Sequence, residues 1–147
     1  MTAGPAGKLY TPELLALAVE LASFPLDGDW PHLASARSRT CGSSVTIGLQ
    51  LDDHGRINRL GLAVTACAVG QASAATFARA ASGRNGAEIA AALKEIEVWL
   101  AQADAPLPHW PGFAALAPAR GYSGRHGALL LPWKAAADAL CKDVITG

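Results

Sequence analysis

The sequence lacks the features that mark several common protein classes. It has no run of about 18 apolar residues, so no membrane-spanning helix is expected. Residues 1–7 contain no apolar signal core, which predicts that the protein stays in the cytoplasm. Twelve basic residues balance twelve acidic ones, and positive charge is concentrated only at Arg37 and Arg39, which we expect to be a solvated pair. Neither nucleic acid nor a membrane surface is therefore an expected partner.

Motifs for independent catalysis are missing as well. The adjacent carboxylates of Asp52 and Asp53 are explained by a turn, because Asp-Asp-His-Gly is typical turn sequence. The Gly-Arg-Asn-Gly stretch at residues 83–86 lacks the Lys-Ser/Thr pair of a phosphate-binding loop. We therefore do not expect an enzyme with turnover of its own.

Cysteine is scarce, and its number is odd. Three cysteines in a reducing compartment argue against a disulfide framework and for thiol or metal chemistry. Cys141 follows Leu140 inside a helical pattern, which favours core packing. Cys41 and Cys67 are the two candidates for chemistry, against the competing interpretation that both are buried and unreactive.

The apolar fraction is high, at 51% of 147 residues with a mean hydropathy of +0.23. A chain of this length can bury a core of its own, and its apolar surface allows a homo-oligomer. We expect a flexible N-terminal tail over residues 1–8 and a single domain over residues 9–147.

Helical spacing and breakers divide the first third of the chain. Thr11-Pro12-Glu13 has the composition of a helix start, and apolar spacing predicts a helix over residues 12–23. Residues 25–40 are rich in Pro, Gly, Asp and Ser and are expected to form a long loop leading to Cys41.

Alternating apolar residues then predict an antiparallel hairpin. The first strand covers Val45 to Leu51 and the second Ile57 to Val64, with turn residues between them. Cys41 precedes the first strand and Cys67 follows the second, so closing the hairpin brings both to the same end of the sheet.

The rest of the chain is predicted to be helical. A helix of small residues follows Cys67 and ends at Ser82-Gly83, and further helices are expected over residues 86–103 and 132–144. Residues 106–118 are expected to be a loop. Four aromatic residues are expected to anchor the core or this loop: Trp99, Trp110, Phe113 and Trp133. This order predicts an α+β fold with a small antiparallel sheet packed against several helices.

Three motifs and their order resemble one family. They are Thr-Cys-Gly at residues 40–42, the hairpin, and Cys-Ala-Val-Gly-Gln-Ala-Ser-Ala at residues 67–74, followed by His-Gly-Ala-Leu-Leu-Leu-Pro-Trp at residues 126–133. The chain resembles the IscU/SufU-type iron–sulfur cluster assembly scaffolds, also called NifU N-terminal-like domains, over about residues 9–140.

The resemblance implies a scaffold that accepts sulfur from a cysteine desulfurase, assembles a labile iron–sulfur cluster, and passes it to apo iron–sulfur proteins. It places the family's first two cysteines at Cys41 and Cys67. Ser43 stands where the family has an aspartate, and the third cysteine falls on Gly127 or Ala128, depending on the alignment. If the third cysteine falls on Gly127, His126 matches the family's histidine beside that cysteine and becomes a candidate ligand. If it falls on Ala128, His126 has no such match.

The residues themselves fit two kinds of metal. A cluster needs about four ligands, so Cys41, Cys67 and His126 require an added thiol or a second subunit. Zinc accepts two thiolates, one imidazole and a water. The start of a helix favours a thiolate at Cys67, which makes it the better sulfur acceptor, with Cys41 as the other candidate.

Three functions therefore remain open: a cluster scaffold, a zinc-containing sulfur acceptor that works with a desulfurase, and a metal-free interaction protein. The competing interpretation of His126 is a histidine in an exposed loop. His32, His54 and His109 lie in loop or turn sequence and are expected to be solvated.

Overall fold

A computed structural model of the protein describes residues 9–39 and 42–146, with side chains up to residue 140. Residues 1–8, for which a flexible tail is predicted, lie outside the described part, as do Thr40 and Cys41. Across the described ranges, none of the helices combines the length and apolarity needed to cross a bilayer.

A three-stranded antiparallel sheet forms the first half of the fold. Its strands are β1 (His32–Arg37), β2 (Ser44–Leu51) and β3 (Ile57–Thr65), in the order β1-β2-β3. The predicted hairpin is present as β2 and β3. Its first strand shows the expected alternation, since Val45, Ile47 and Leu49 are buried at every second position.

The prediction of a loop over residues 25–40 is wrong in part, since β1 lies inside it. The sequence did not predict this strand because its small apolar residue is on the buried face and its large one is on the exposed face. Ala34 is buried on the helix side, whereas Leu33 is 53% exposed on the other face. The expected alternation of large apolar and polar residues is therefore missing, and His32 is a strand residue rather than a loop residue.

The segment before β1 covers the outer face and far edge of the sheet. The Trp30 ring lies on the paired glycines Gly48 and Gly61, where an added Cβ would be 2.4 and 2.7 Å from ring atoms. The amide of Leu62 in β3 donates a hydrogen bond to the carbonyl of Phe24 at 2.8 Å. Chain from residues 24 to 30 thus extends along β3 and over the sheet.

Helix α1 (Pro12–Glu20) continues as a 3₁₀ turn over Leu21–Ser23, as predicted. The Thr11 hydroxyl accepts a hydrogen bond from the Leu14 amide at 3.1 Å and so caps the helix. Its buried face packs on helix α2 (Ala68–Ala81).

Helix α2 runs through the interior, because every residue from 72 to 78 is buried. Its small side chains let α1, β3 and the last helix approach it closely. Helix α3 (Gly86–Ala101) follows, with a capping box formed by Asn85 and Glu88.

The last helix, α4 (His126–Thr146), begins six residues before the predicted start at Pro132. Pro132 lies inside the helix, which is tolerated because Leu131, Pro132 and Trp133 are all buried against the core. The predicted loop over residues 106–118 is also partly wrong, because a 3₁₀ helix covers Phe113–Gly121 and another covers Ser123–Arg125. Helix α4 packs on β1, β2, α2 and α3.

Five aromatic side chains form the centre of the core. Phe77 lies 5.4 Å from Trp110 and 5.5 Å from Trp133 between ring centroids, and Phe113 lies 5.2 Å from Trp99. These are stacked and edge-to-face contacts, and the expectation that the aromatic residues anchor the core is confirmed. The predicted α+β architecture, a small antiparallel sheet against several helices, is likewise confirmed.

Candidate functional site

The connection between β1 and β2 is where Cys41 belongs in the sequence. The Ser38 amide donates to the Ser43 carbonyl at 2.8 Å, and the Gly42 amide donates to the Ser38 carbonyl at 3.2 Å. Gly42 has φ +70°, a conformation that favours glycine, which explains a glycine directly after the cysteine. Cys41 itself lies outside the described residues, so its predicted role is carried forward as a prediction.

Cys67 stands between β3 and α2. It is the N-cap residue of α2, with φ −66° and ψ 174°, and its thiol makes no capping hydrogen bond. The side chain is half-buried and packs against the core. Ser44 pairs with Thr65, so the start of β2 and the residues leading to Cys67 lie at the same end of the sheet.

His126 is the first residue of α4 and not a residue of an exposed loop. Its Nε2 lies 2.7 Å from the carbonyl oxygen of Arg120. A carbonyl oxygen only accepts, so Nε2 carries the hydrogen, and in the neutral ring the lone pair is on Nδ1. A histidine that donates one ring N–H to a backbone carbonyl is a common form of metal ligand, because the bond fixes the tautomer and the ring orientation.

The first turns of α2 and α4 are in contact. An added Cβ on Gly70 would lie 3.4 Å from the Ala128 Cβ, and the Ser73 hydroxyl donates a hydrogen bond to the Leu129 carbonyl. Ala128 is fully buried in this contact, whereas Gly127 is half-buried. The two positions proposed for the missing cysteine therefore face different surroundings.

A cavity of about 420 Å³ lies between the β1–β2 connection and the start of α4. We call it the basic cavity. Its lining includes Arg37, Ser38, Arg39, His126, Gly127 and Lys134. It therefore brings residues on the N-terminal side of Cys41 together with His126. Cys67 is not among the described residues that line it.

Lys134 was missed by the sequence analysis, and Arg37 and Arg39 were interpreted as a solvated pair. All three side chains are exposed, but they line one cavity. Recognising Lys134 requires the early start of α4, which places residue 134 two turns after His126 on the same helix.

In the described part of the chain, no three His, Cys, Asp or Glu side chains lie close enough together to hold a metal ion. The predicted set of Cys41, Cys67 and His126 includes one residue outside that part. Cys67 and His126 individually suit the role, because one offers a half-buried thiol at a helix start and the other a lone pair on Nδ1.

Comparisons with known proteins identify the fold. No family model matches the sequence, and no curated protein matches it. Among solved structures, the N-terminal part of a nitrogen-fixing NifU-like protein from Brucella abortus aligns with a TM-score of 0.87 and 27% identity, covering 98% of this chain and 100% of that one.

A second structure is that of a protein described as an iron–sulfur cluster assembly scaffold for the SUF system of Fervidobacterium islandicum AW-1. It aligns with a TM-score of 0.78 and 21% identity over 90% of this chain and 96% of that one. The chain therefore has the IscU/SufU-type, NifU N-terminal-like fold over nearly its whole length.

Proposed function

We propose that the protein is a scaffold in iron–sulfur cluster assembly that accepts sulfur at Cys67 and holds iron or a labile [2Fe–2S] cluster as its cargo. The observation that carries the proposal is the position of Cys67, a half-buried thiol at the start of α2, in a fold shared with a SUF scaffold over 90% of the chain.

The chemistry of sulfur acceptance needs little more than that thiol. The Cys67 thiolate attacks the terminal sulfur of a persulfide on the donor, a new S–S bond forms, and the donor's own sulfur leaves as a thiolate. No oxidant is consumed, because the S–S bond is exchanged. The attacking sulfur belongs to the N-cap residue of α2, where the first backbone amides of a helix have no intrahelical acceptors.

For metal, we propose Cys41, Cys67 and His126 as the protein's ligands. His126 would bind through Nδ1, since Nε2–H is held by the Arg120 carbonyl. This set is one thiolate short of what a cluster usually needs, so we expect a labile cluster.

A second candidate is a zinc-containing sulfur acceptor. The fixed tautomer of His126 favours it, because two thiolates, one imidazole and a water complete a tetrahedral zinc site. In either case the proposed partners are a cysteine desulfurase and apo iron–sulfur proteins, and the proposed compartment is the cytoplasm. The third candidate, a metal-free interaction protein, keeps the fold without the metal.

Anaerobic purification with metal analysis and an absorption spectrum separates these candidates. Iron with visible charge-transfer bands supports the scaffold, stoichiometric zinc supports the sulfur acceptor, and absence of both metals after reconstitution supports the metal-free protein. Cys67→Ser should lose metal and persulfide acceptance, whereas the matched control Cys141→Ser, in the last helix, should keep both. If Cys67→Ser retained both properties, the assignment of Cys67 would be wrong.

A further inference from the structure

Strand β1 is an edge strand, because β2 is the only strand that pairs with it among the described residues. Directly after β1, the Ser38 amide donates to the Ser43 carbonyl across the same ladder. In an antiparallel pair the amides of one strand point alternately towards and away from the other strand. Three amides of β1 therefore point away from β2, and none of them has a backbone acceptor in the described chain: those of Leu33, Ser35 and Arg37.

The middle of β1 lacks the features that usually keep an edge strand from pairing. Those features are charged side chains, proline and bulges. Residues 33–36 read Leu-Ala-Ser-Ala, and the register between β1 and β2 has no shift. Leu33 in addition presents an exposed apolar side chain on the outer face of the sheet. This edge is therefore suited to accept another strand through its backbone groups.

The charges on either side of β1 indicate which strand fits. Asp27 and Asp29 are exposed before the strand, whereas Arg37 and Arg39 are exposed at its end. The salt bridges among the described residues include none of these four side chains. When two copies of one strand pair in antiparallel orientation, the start of each lies beside the end of the other. An acidic start and a basic end are then complementary, and a net charge of zero adds no overall repulsion between the copies.

We propose that β1 pairs with β1 of a second copy of this chain in antiparallel orientation, so that two three-stranded sheets become one sheet of six strands. With Ala34 at the twofold axis, the outward-facing backbone groups of Leu33 meet those of Ser35 in the second copy. The two Leu33 side chains become diagonal neighbours on the outer face, and Arg37 faces the segment of the second copy that carries Asp29. This pairing assigns a surface to the homo-oligomer expected from composition, and it does not rest on the proposed function.

Sedimentation of the full-length protein from micromolar to millimolar concentration tests the association itself. A reversible equilibrium between monomer and dimer is expected, because a single strand pair buries little surface. Added salt should shift the equilibrium towards the monomer, since the charges involved are exposed. A protein that stays monomeric at every concentration would overturn the proposal.

Ser35→Pro tests the backbone pairing. It removes an amide that points away from β2, and proline is tolerated on an edge strand at such a position. The dissociation constant of the dimer should rise at least about tenfold, because twofold symmetry removes two hydrogen bonds. The matched control is Ser35→Ala, which likewise loses the 2.7 Å contact between the Ser35 and Thr46 hydroxyls but keeps the amide, and it should dimerise as the parent does. Circular dichroism checks the fold, and equal dissociation constants for the two variants would overturn the pairing.

A charge exchange tests the orientation of the two strands. Arg37→Asp and Asp29→Arg should each weaken the dimer, because each places like charges beside one another across the interface. The double variant should recover association, since both charges are reversed together. If the double variant were as weak as the sum of the two single changes, the antiparallel arrangement would be wrong.

A pair of lysine substitutions tests the surface itself. Leu33→Lys should weaken association, since it puts a charge beside its own copy on the outer face. Val19→Lys makes the same change at another exposed apolar residue, on helix α1, and should leave the dimer unchanged. The opposite result, with weakening by Val19→Lys alone, would move the interface to α1 and overturn the proposal.

Discussion

The contact between helices α2 and α4 differs sharply between its two ends. At one end, Phe77 of α2 and Trp133 of α4 meet edge-to-face, with ring centroids 5.5 Å apart, inside the aromatic centre of the core. At the other end the same helices begin with Cys67 as N-cap and His126 as first residue, and their contact is made by Gly70 and Ala128.

In the same pair of helices, the residues that stabilise the packing are therefore different from the candidate residues for chemistry. Aromatic contacts at the core end hold the helices at a fixed distance, so the starts of both helices are positioned without large side chains between them. Replacing a cysteine by glycine or alanine at the start of α4 therefore leaves the packing at the core end intact. The fold therefore does not depend on a cysteine at the start of α4.

The largest expected effect is at the aromatic end. Trp133 is fully buried, so Trp133→Ala should cost about 3–5 kcal/mol of unfolding free energy, measured by denaturant titration. Trp133→Phe should cost less than half as much, because it keeps a ring and removes an indole Nε1 that has no hydrogen-bond partner among the described residues. A comparable loss in Cys67→Ser would contradict the separation of the two ends.

Introducing a cysteine at the start of α4 is expected to have a smaller effect on stability and a large one on metal retention. Ala128→Cys adds a sulfur to a buried contact with the first turn of α2 and should cost about 1–3 kcal/mol in the metal-free protein. It should slow metal loss to a chelator, because its thiol would extend from the residue that faces the turn headed by Cys67.

Gly127→Cys is the matched variant for the other alignment, and Gly127 lines the basic cavity. Slower metal loss in Gly127→Cys alone would show that the alignment on His126 is the correct one. Unchanged metal loss in both variants would contradict a metal site at this end of the fold.

The smallest expected effect is on the hairpin turn. The Asp52 carboxylate accepts hydrogen bonds from the amides of Arg56 and His54, which lower the pKa of Asp52 below its ordinary value of 3.8. Because the pKa of Asp52 is lower in the folded than in the unfolded state, the ionised carboxylate stabilises the fold above about pH 4. This stabilisation is lost as the pH falls through the lowered pKa. In thermal unfolding, the parent protein should be more stable than Asp52→Asn near neutral pH, and this difference should disappear in acid. Asp53→Asn is the control. A stability difference between the parent and Asp52→Asn that stays constant across pH would contradict the prediction.

Much of the fold could be predicted because local patterns agree with the tertiary contacts. The alternation along β2, the cap at Thr11 and the small residues of α2 all appear in the sequence as they do in the structure. β1 could not be predicted, because its buried side is alanine and its exposed side includes Leu33. The start of α4 could not be predicted because proline is common at the first position of a helix, whereas Pro132 lies within this one.

For the candidate site, the sequence predicted the position of an individual residue but not the residues that surround it. Cys67 was expected at a strand-to-helix junction, and the structure places it there. The basic cavity was not predictable, since it depends on β1 and on the early start of α4, the two elements that the sequence patterns conceal. Arg39 and Lys134 are far apart in the chain and share a cavity only because α4 packs on β1.

The segment that crosses the outer face of the sheet has a further consequence, for self-assembly. An unprotected edge strand offers its amides to other molecules and promotes aggregation. Here the carbonyl of Phe24 satisfies the Leu62 amide of β3, and Pro25, which bridges to Leu62, has no amide of its own to offer. The border of the sheet along β3 is thereby blocked at Leu62, which disfavours the addition of a strand from another molecule at this position.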